Sequence, residues 1–153
     1  MRTGFGVTYL VPPRMANLIN ALGKCAAVNR NFSINGAYLR QWDCYPNQKG
    51  QMWSWNQATL GSADRHLCNG HGRCAASICD SPSNGPLIQW DHFDQEGQRY
   101  YFIDSPIHPG FYLIKNDHGK CISVFENAYW NGAYILVGDC NATLAGQNWK
   151  WKY

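Results

Sequence analysis

The C-terminal stretch Gly146-Gln147-Asn148-Trp149-Lys150-Trp151 has two earlier counterparts in this chain of 153 residues. One is Gly50-Gln51-Met52-Trp53-Ser54-Trp55, and the other is Gly97-Gln98-Arg99-Tyr100-Tyr101-Phe102. The glutamines of the three copies are spaced by 47 and 49 residues. A motif that returns at a nearly fixed period indicates a chain built from repeats of one supersecondary unit.

Two more motifs repeat, with spacings of 49 and 47 residues. Asn-Gly is a strong signal for a tight hairpin turn, because a type I′ turn needs two residues with positive φ. The glycine of a Gly-Lys/Arg-Cys motif is expected to relieve a second tight turn. Three motifs in one order therefore predict three equivalent units. The copies are Asn35-Gly36, Asn84-Gly85 and Asn131-Gly132, and Gly23-Lys24-Cys25, Gly72-Arg73-Cys74 and Gly119-Lys120-Cys121.

Large side chains alternate after each Gly-Gln. Period two directs both members of a pair to the same face of a strand. We therefore predict that all six lie in the core: Trp53 and Trp55, Tyr100 and Phe102, and Trp149 and Trp151.

Each unit is predicted to hold four short strands, which in the last unit span residues 111–115, 120–125, 134–139 and 148–153. No single unit can bury its own apolar face, so the three must share one core. A closed barrel capped by hairpins achieves this and leaves few exposed edges.

One window at the start of the first unit has helical spacing instead. Met15, Leu18, Ile19 and Leu22 stand at i, i+3, i+4 and i+7. Because the same segment parallels a predicted strand of the third unit, we predict a strand there. The predicted boundaries are an N-terminal extension at residues 1–14 and one domain at 15–153, with repeats at about 15–60, 61–108 and 109–153.

The composition suits this architecture. Hydrophobic residues make up 45%, which excludes wholesale disorder, and aromatic residues make up 14%. Charged residues, at 15%, fall below the roughly 25% of an average soluble domain. The basic residues behind the net charge of +3 are scattered, which disfavours a nucleic-acid partner. No apolar run approaches the roughly 20 residues of a membrane-spanning helix.

The sequence resembles a β-trefoil of the ricin B-type (R-type) lectin family over about residues 15–153. The resemblance rests on the three Gln-x-aromatic motifs and on a second recurring segment. Its copies are Gln41-Trp42-Asp43-Cys44, Gln89-Trp90-Asp91-His92 and Val137-Gly138-Asp139-Cys140. The resemblance implies an all-β fold of three pseudo-symmetric four-stranded repeats. It also implies sugar binding in shallow pockets, up to one per unit, without catalysis.

The resemblance assigns candidate sugar contacts residue by residue. The family's usual acidic residue, two positions after the first cysteine, is replaced here by Ala27, Ala76 and Ser123. Its stacking aromatic corresponds to Trp42 and Trp90, whereas the third unit has Gly138. The three glutamines carry over as Gln51, Gln98 and Gln147, with a structural role in the loop as the competing interpretation.

Arg40 is a further candidate. It stands two residues before Trp42, so in a strand its side chain points to the same side as that ring. There it is able to donate to sugar hydroxyls or to an acidic group. A solvated surface charge is the competing interpretation.

Seven cysteines point to an oxidising compartment, and hence to a secreted or extracellular protein. The resemblance implies one bridge between Cys25 and Cys44 and another between Cys121 and Cys140. In the middle unit His92 replaces the second partner, so Cys68 pairs with either Cys74 or Cys79. An odd number of cysteines leaves at least one unpaired or paired outside the chain.

The middle unit also permits a zinc hypothesis. Two histidines and three cysteines lie within fourteen residues, although their spacing is not a well-known zinc-finger pattern. We therefore predict no metal and no cofactor. The residues are His66, Cys68, His71, Cys74 and Cys79.

Catalytic motifs of the hydrolase, P-loop, zincin and dinucleotide-binding types are missing from the sequence. Asp43, Asp91 and Asp139 recur at one repeat position, which favours a turn or hydrogen-bonding role over a pair of catalytic carboxylates. We predict a non-catalytic lectin whose partners are glycans or glycoconjugates. The alternative is a protein-interaction module, either a toxin-associated or complex-forming subunit or an inhibitor-like trefoil, that binds a partner chain through its loops or its extension.

Overall fold

A computed structural model describes residues 15–57, 65–78, 85–93 and 95–153. The predicted extension at residues 1–14 lies outside this part. The described residues form twelve strands joined by turns and short 3-10 segments, which confirms the predicted all-β trefoil. The strands are β1 Asn17–Asn20, β2 Cys25–Val28, β3 Leu39–Trp42, β4 Trp53–Gln57, β5 Arg65–Asn69, β6 Arg73–Ser77, β7 Gly85–Asp91, β8 Tyr100–Asp104, β9 Tyr112–Asn116, β10 Cys121–Val124, β11 Ile135–Gly138 and β12 Trp149–Lys152.

The strands fall into three units of four, and the pairing repeats from unit to unit. The barrel is closed by antiparallel pairs that join neighbouring units: β1 with β12, β4 with β5 and β8 with β9. The second and third strands of each unit form a capping hairpin. The three hairpins meet one another through the pairing of β7 with β11 and through bridges from Tyr38 to Ile88 and from Arg40 to Tyr134. A hairpin side chain therefore contacts the next unit as well as its own.

The predicted strands of the third unit agree with the structure to within two residues at each end. The window with helical spacing forms β1, a strand paired residue by residue with β12. In the described part of the chain, no helix is long and apolar enough to cross a membrane.

The core is built on the first aromatic of each pair. Trp53, Tyr100 and Trp149 are almost fully buried. The buried indole nitrogens donate to backbone carbonyls, from Trp53 Nε1 to Ala26 O at 3.0 Å and from Trp149 Nε1 to Ile122 O at 3.2 Å. The prediction is thus confirmed for these three residues.

The second aromatic of each pair is less buried than predicted. Trp55, Phe102 and Trp151 are half-buried, and Phe102 and Trp151 pack against the core. The ring of Phe102 lies 4.7 Å from that of Trp55 and 5.6 Å from that of Trp151, measured between centroids. The core prediction is therefore right only in part for this set, because the Phe102 ring packs against the rings of the other two units and none of the three is fully buried.

A buried asparagine shapes the first turn of every unit. Asn20 Oδ1 accepts the backbone N–H groups of Leu22 at 3.0 Å and Lys24 at 3.1 Å. Asn69 and Asn116 do the same in their units. These asparagines share the spacing of the other motifs, so the period could have revealed them. The following glycine, Gly23 in the first unit, has a φ of +87°, as predicted for a tight turn.

The Asn-Gly turn differs from the prediction. Gly36 has a φ of +92°, but Asn35 is not left-handed, so the turn is not type I′. It lies in the long loop between β2 and β3. The second unit shapes this turn, because Gly36 N–H donates to Gln89 O at 2.8 Å and Asn35 Nδ2 donates to Asp91 Oδ2 at 3.0 Å.

Disulfides join Cys25 to Cys44 and Cys121 to Cys140, as the resemblance implies. A third bridge joins Cys68 to Cys74 and resolves the open pairing of the middle unit. Cys79 lies outside the described residues.

Candidate functional site

A cavity of about 430 Å³ opens on the first unit. Strands β2 and β3 form its walls, together with the turn at Asn29–Asn31 and the loop that leads to Gln51. Three predicted site residues, Arg40, Trp42 and Gln51, come together here, whereas Trp90 and Gln98 belong to the second unit. The lining residues are Ala27, Val28, Asn29, Arg30, Asn31, Arg40, Trp42, Tyr45, Gln48 and Gln51.

The aromatic wall of the cavity is half open. Trp42 is 39% exposed and Tyr45 is 46% exposed. The Trp42 ring lies against Gly132 of the third unit, where a Cβ would stand 3.6 Å from Cζ3. The ring is therefore held by a neighbouring unit while part of its surface faces solvent.

Arg40 is fixed across the same boundary between units. Its Nη1 donates to Gly132 O and its Nη2 to Tyr134 Oη, both at 3.1 Å. The guanidinium carbon lies 4.4 Å from the centroid of the Tyr134 ring. Arg40 Nε is buried without a hydrogen-bond partner among the described residues. These contacts anchor the guanidinium at the cavity edge with neutral acceptors.

The glutamine of the Gln-x-aromatic motif is buried and holds its loop in place. Gln51 Nε2 donates to Asp43 O at 2.9 Å, and its Oε1 accepts Tyr45 N–H at 2.8 Å. Gln98 makes the same two contacts, with Asp91 O and Phe93 N–H. Both ends of each amide are thus bonded to backbone, and a direct sugar contact by Gln51 or Gln98 stays a prediction.

A left-handed turn brings two further residues to the cavity that the sequence analysis did not single out. Arg30 has a φ of 52° and Asn31 a φ of 53°. Asn31 Oδ1 accepts Gly50 N–H at 2.7 Å. A Cβ at Gly50 would stand 2.7 Å from that oxygen, so glycine is required there. In the third unit, Asn127 Oδ1 accepts Gly146 N–H in the same way. The asparagine and the glycine are 19 residues apart in both units, and this shared spacing could have identified Asn31 from the sequence.

The recurring aspartates form ion pairs with the basic residue of Gly-Lys/Arg-Cys. Lys24 Nζ lies 2.6 Å from Asp43 Oδ1, and Lys120 Nζ lies 2.7 Å from Asp139 Oδ1. Arg73 and Asp91 form the corresponding pair. The contacts agree with the hydrogen-bonding role expected for these residues.

These contacts also set the charge state of two carboxyl groups. The hydrogen bond from Lys24, followed by that from Asn131, lowers the pKa of Asp43 below its ordinary value of 3.8. The hydrogen bond from Lys120 does the same to the pKa of Asp139. Both groups are ionised at neutral pH and matched by a lysine.

The second and third units present different surfaces at the equivalent positions. In the second unit Trp90 is 39% exposed and lies against Gly36, but Ile88 stands where the first unit has Arg40. In the third unit Leu136 and Gly138 occupy these positions. The arginine and the indole thus occur together in the first unit alone.

The zinc hypothesis loses two of its proposed ligands, because the sulfurs of Cys68 and Cys74 are bonded to each other. The ligand atoms of these cysteines and of His92 lie within 4.8 Å of one another. The His92 ring lies 4.4 Å from the ring of His66, whose Nδ1 contacts Gln98 O at 2.8 Å. His92 therefore sits beside a bridge, at the position where the other units place the second cysteine.

The family model for the ricin-type beta-trefoil lectin domain matches residues 14–149. The chain belongs to this family. Membership supports a carbohydrate-binding role. A comparison with curated protein sequences gave no match.

Solved structures share the fold of this lectin domain. The exo-beta-1,3-galactanase 1,3Gal43A from Clostridium thermocellum is 27% identical, with a TM-score of 0.79 over 97% of this chain and 32% of the galactanase. The designed threefold symmetric protein ThreeFoil is 20% identical, with a TM-score of 0.80 over 91% of this chain and 99% of ThreeFoil. The C-half of the earthworm R-type lectin, in complex with GalNAc, is 12% identical, with a TM-score of 0.67 over 92% of this chain and 100% of that chain.

Proposed function

We propose that this domain is a non-catalytic lectin that binds a glycan in the cavity of the first unit. The observation that carries the proposal is the half-exposed Trp42 ring in the wall of a cavity of about 430 Å³. A flat indole offers an apolar face to the C–H groups of a pyranose ring. Polar side chains that line the cavity, Asn31 and Arg40 among them, provide hydrogen-bond partners for hydroxyls.

Preorganisation favours this use of Trp42. The ring packs against Gly132, and the adjoining strand is tied to the third unit through Arg40. A platform that is already in place loses little conformational freedom when a ligand binds. The first unit is therefore proposed as the principal site and Trp90 of the second unit as a weaker one.

The absence of catalysis is part of the proposal. Hydrolysis of a glycosidic bond needs two carboxyl groups roughly 5 to 10 Å apart. The residues that line the cavity include no aspartate or glutamate, and nearby Asp43 is paired with Lys24. The galactanase with the same fold is about three times as long as this chain, so its activity is not transferred here.

Secretion is also proposed. Three disulfides form within the described residues, and such bridges persist in oxidising compartments.

The decisive experiment compares Trp42→Ala with Trp90→Ala on a glycan array and then by calorimetry with the best ligand. Loss of the platform in the first unit should lower affinity by about tenfold or more, since an aromatic contact and its buried area are removed. Trp90→Ala should have the smaller effect. A blank array for the unaltered protein, with no thermal stabilisation by sugars at about 10 mM, would contradict the proposal.

A protein partner is the second candidate function, and one observation favours it. The third unit lacks a platform at Gly138, yet its loop exposes Tyr129 by 74% and Trp130 by 52%. Exposed aromatic side chains of this kind are enriched at protein interfaces. Capture of partners from the native source distinguishes the two functions, because free sugar elutes a glycoprotein from a lectin and leaves a protein-protein complex intact.

A further inference from the structure

The cavity of the first unit carries two positive charges and no negative one. Arg30 and Arg40 both line it, and its lining includes no carboxylate. Arginine remains protonated at any pH the protein experiences. Within residues 15–57, 65–78, 85–93 and 95–153, no acidic side chain forms an ion pair with either guanidinium.

The surroundings of Arg40 leave its charge uncompensated. Its two hydrogen bonds go to a backbone carbonyl and to the hydroxyl of Tyr134, both neutral acceptors. The residue directly opposite on β2 is Ala27, which contributes no charge. Two of the five N–H donors are used by these bonds, and Nε stands buried without a partner among the described residues. The buried Nε does not reach the cavity, but Nη1 and Nη2 each keep one further N–H. The guanidinium is thus held in place and retains these two donors for an anion.

The spacing on β3 fits one ligand across both groups. Arg40 and Trp42 lie two residues apart, on the same face and about 7 Å from each other along the strand. That distance accommodates a pyranose ring stacked on the indole with one charged substituent reaching the guanidinium. Arg30, exposed on the left-handed turn, adds positive potential at another part of the wall.

From these observations we propose that the cavity selects a sugar bearing a carboxylate or a sulfate group. The inference rests on the lectin function proposed above and names the class of its ligand. A planar guanidinium binds either anion through paired charge-assisted hydrogen bonds. The neutral form of the same sugar retains the stacking contact and loses these bonds.

The test uses matched sugars and calorimetry on the full chain. Galactose and glucose are each compared with the corresponding uronic acid and 6-sulfate, and N-acetylneuraminic acid is added as a second carboxylate. At least one acidic sugar should bind about tenfold or more tightly than its neutral parent. Raising NaCl from about 0.05 to about 0.5 M should reduce this preference, because salt screens exposed charges. Preference for a carboxylate and preference for a sulfate both support the inference.

Three variants locate the effect. Arg40→Gln should abolish the preference for the acidic sugar while stacking on Trp42 persists. Lys152→Gln removes the same charge from an exposed side chain on β12 and should leave the preference unchanged. Ala27→Asp should also abolish it, because the new carboxylate faces Arg40 in the strand register. Thermal unfolding of each variant shows whether it is folded. Arg30→Gln, at an exposed position on another part of the cavity wall, should reduce the preference less than Arg40→Gln does.

The outcomes separate the inference from the proposed function. Equal or tighter binding of the neutral parents would overturn the inference and leave the lectin in place. A preference that survives Arg40→Gln would also overturn it. Failure of every sugar, neutral or acidic, to bind at about 10 mM would instead overturn the proposed function itself.

Discussion

The first and third units have nearly the same backbone and very different surfaces. Both contain a 3-10 turn whose middle residue is left-handed, with a φ of 52° at Arg30 and 53° at Glu126. At the platform position the first unit has Trp42 and the third has Gly138. The charge on the turn is reversed from one unit to the other. The difference shows that the buried residues common to both units accompany the shared backbone, whereas the surfaces of the units differ at a few exposed positions. Under the proposed function, these exposed positions determine what each unit binds.

The shared part of the two units is a set of buried polar and aromatic groups. Gln51 and Gln147 are both buried, and each joins its own loop through two contacts with the backbone. The indoles of Trp53 and Trp149 donate to equivalent carbonyls of their second strands. Substitutions at such pairs test whether the units are equivalent in energy as well as in geometry.

The largest effect is expected in the core. Trp53→Ala and Trp149→Ala should each lower the free energy of unfolding by about 3 to 5 kcal/mol, because each leaves a large cavity and an unpaired carbonyl. Guanidinium denaturation measures both. Exposed Trp130→Ala is the matched control and should change stability by less than about 0.5 kcal/mol. Losses in the free energy of unfolding that differ by more than about 2 kcal/mol between the two core sites would show that the units are not energetically equivalent.

The smallest effect of a substitution is expected at the ion pairs. Here the aspartate of the first unit accepts one side-chain hydrogen bond more than the aspartate of the third. Asp43 accepts hydrogen bonds from Lys24 and Asn131, whereas Asp139 pairs with Lys120. Asn131→Ala should therefore raise the pKa of Asp43 and leave that of Asp139 unchanged. NMR titration of the carboxyl groups measures both pKa values. An unchanged pKa of Asp43 in the variant would contradict the proposed difference between the two units.

The same groups predict a pH dependence of stability. A carboxyl group whose pKa is lowered in the folded state stabilises the protein above its ordinary pKa of 3.8. The contribution is lost as the pH falls through the folded-state value. The contribution of these two ion pairs to the free energy of unfolding should thus be constant near neutral pH and should decrease only in strong acid.

The architecture could be predicted from the sequence because three motifs recur in it with one period. The period of the repeat predicts the positions of the strands. Because side chains alternate between the two faces of a strand, the spacing of Arg40 and Trp42 predicts that they share one face of β3. The pairing of Cys68 with Cys74 was open, because spacing alone does not choose between Cys74 and Cys79. The cross-strand register of β5 and β6 makes that choice.

Apart from Asn31, the rest of the site could not be predicted because it depends on contacts between units and between loops. Tyr45 reaches the cavity since its backbone is bonded to buried Gln51. Arg40 is fixed by Tyr134, more than ninety residues away in the chain. The Asn-Gly turn takes its shape from the neighbouring unit, which is why the local signal at Asn35 named the wrong turn type.

The most direct measurement is an NMR titration of the amide and indole N–H signals with an acidic sugar identified by calorimetry. The chemical shifts of Ala27, Arg40 and the Trp42 indole should move together and saturate with one dissociation constant. The signals of the equivalent positions Ser123, Leu136 and Gly138 should stay in place. Shifts confined to the third unit, or spread evenly over all three, would contradict a binding site built from the exposed residues of the first.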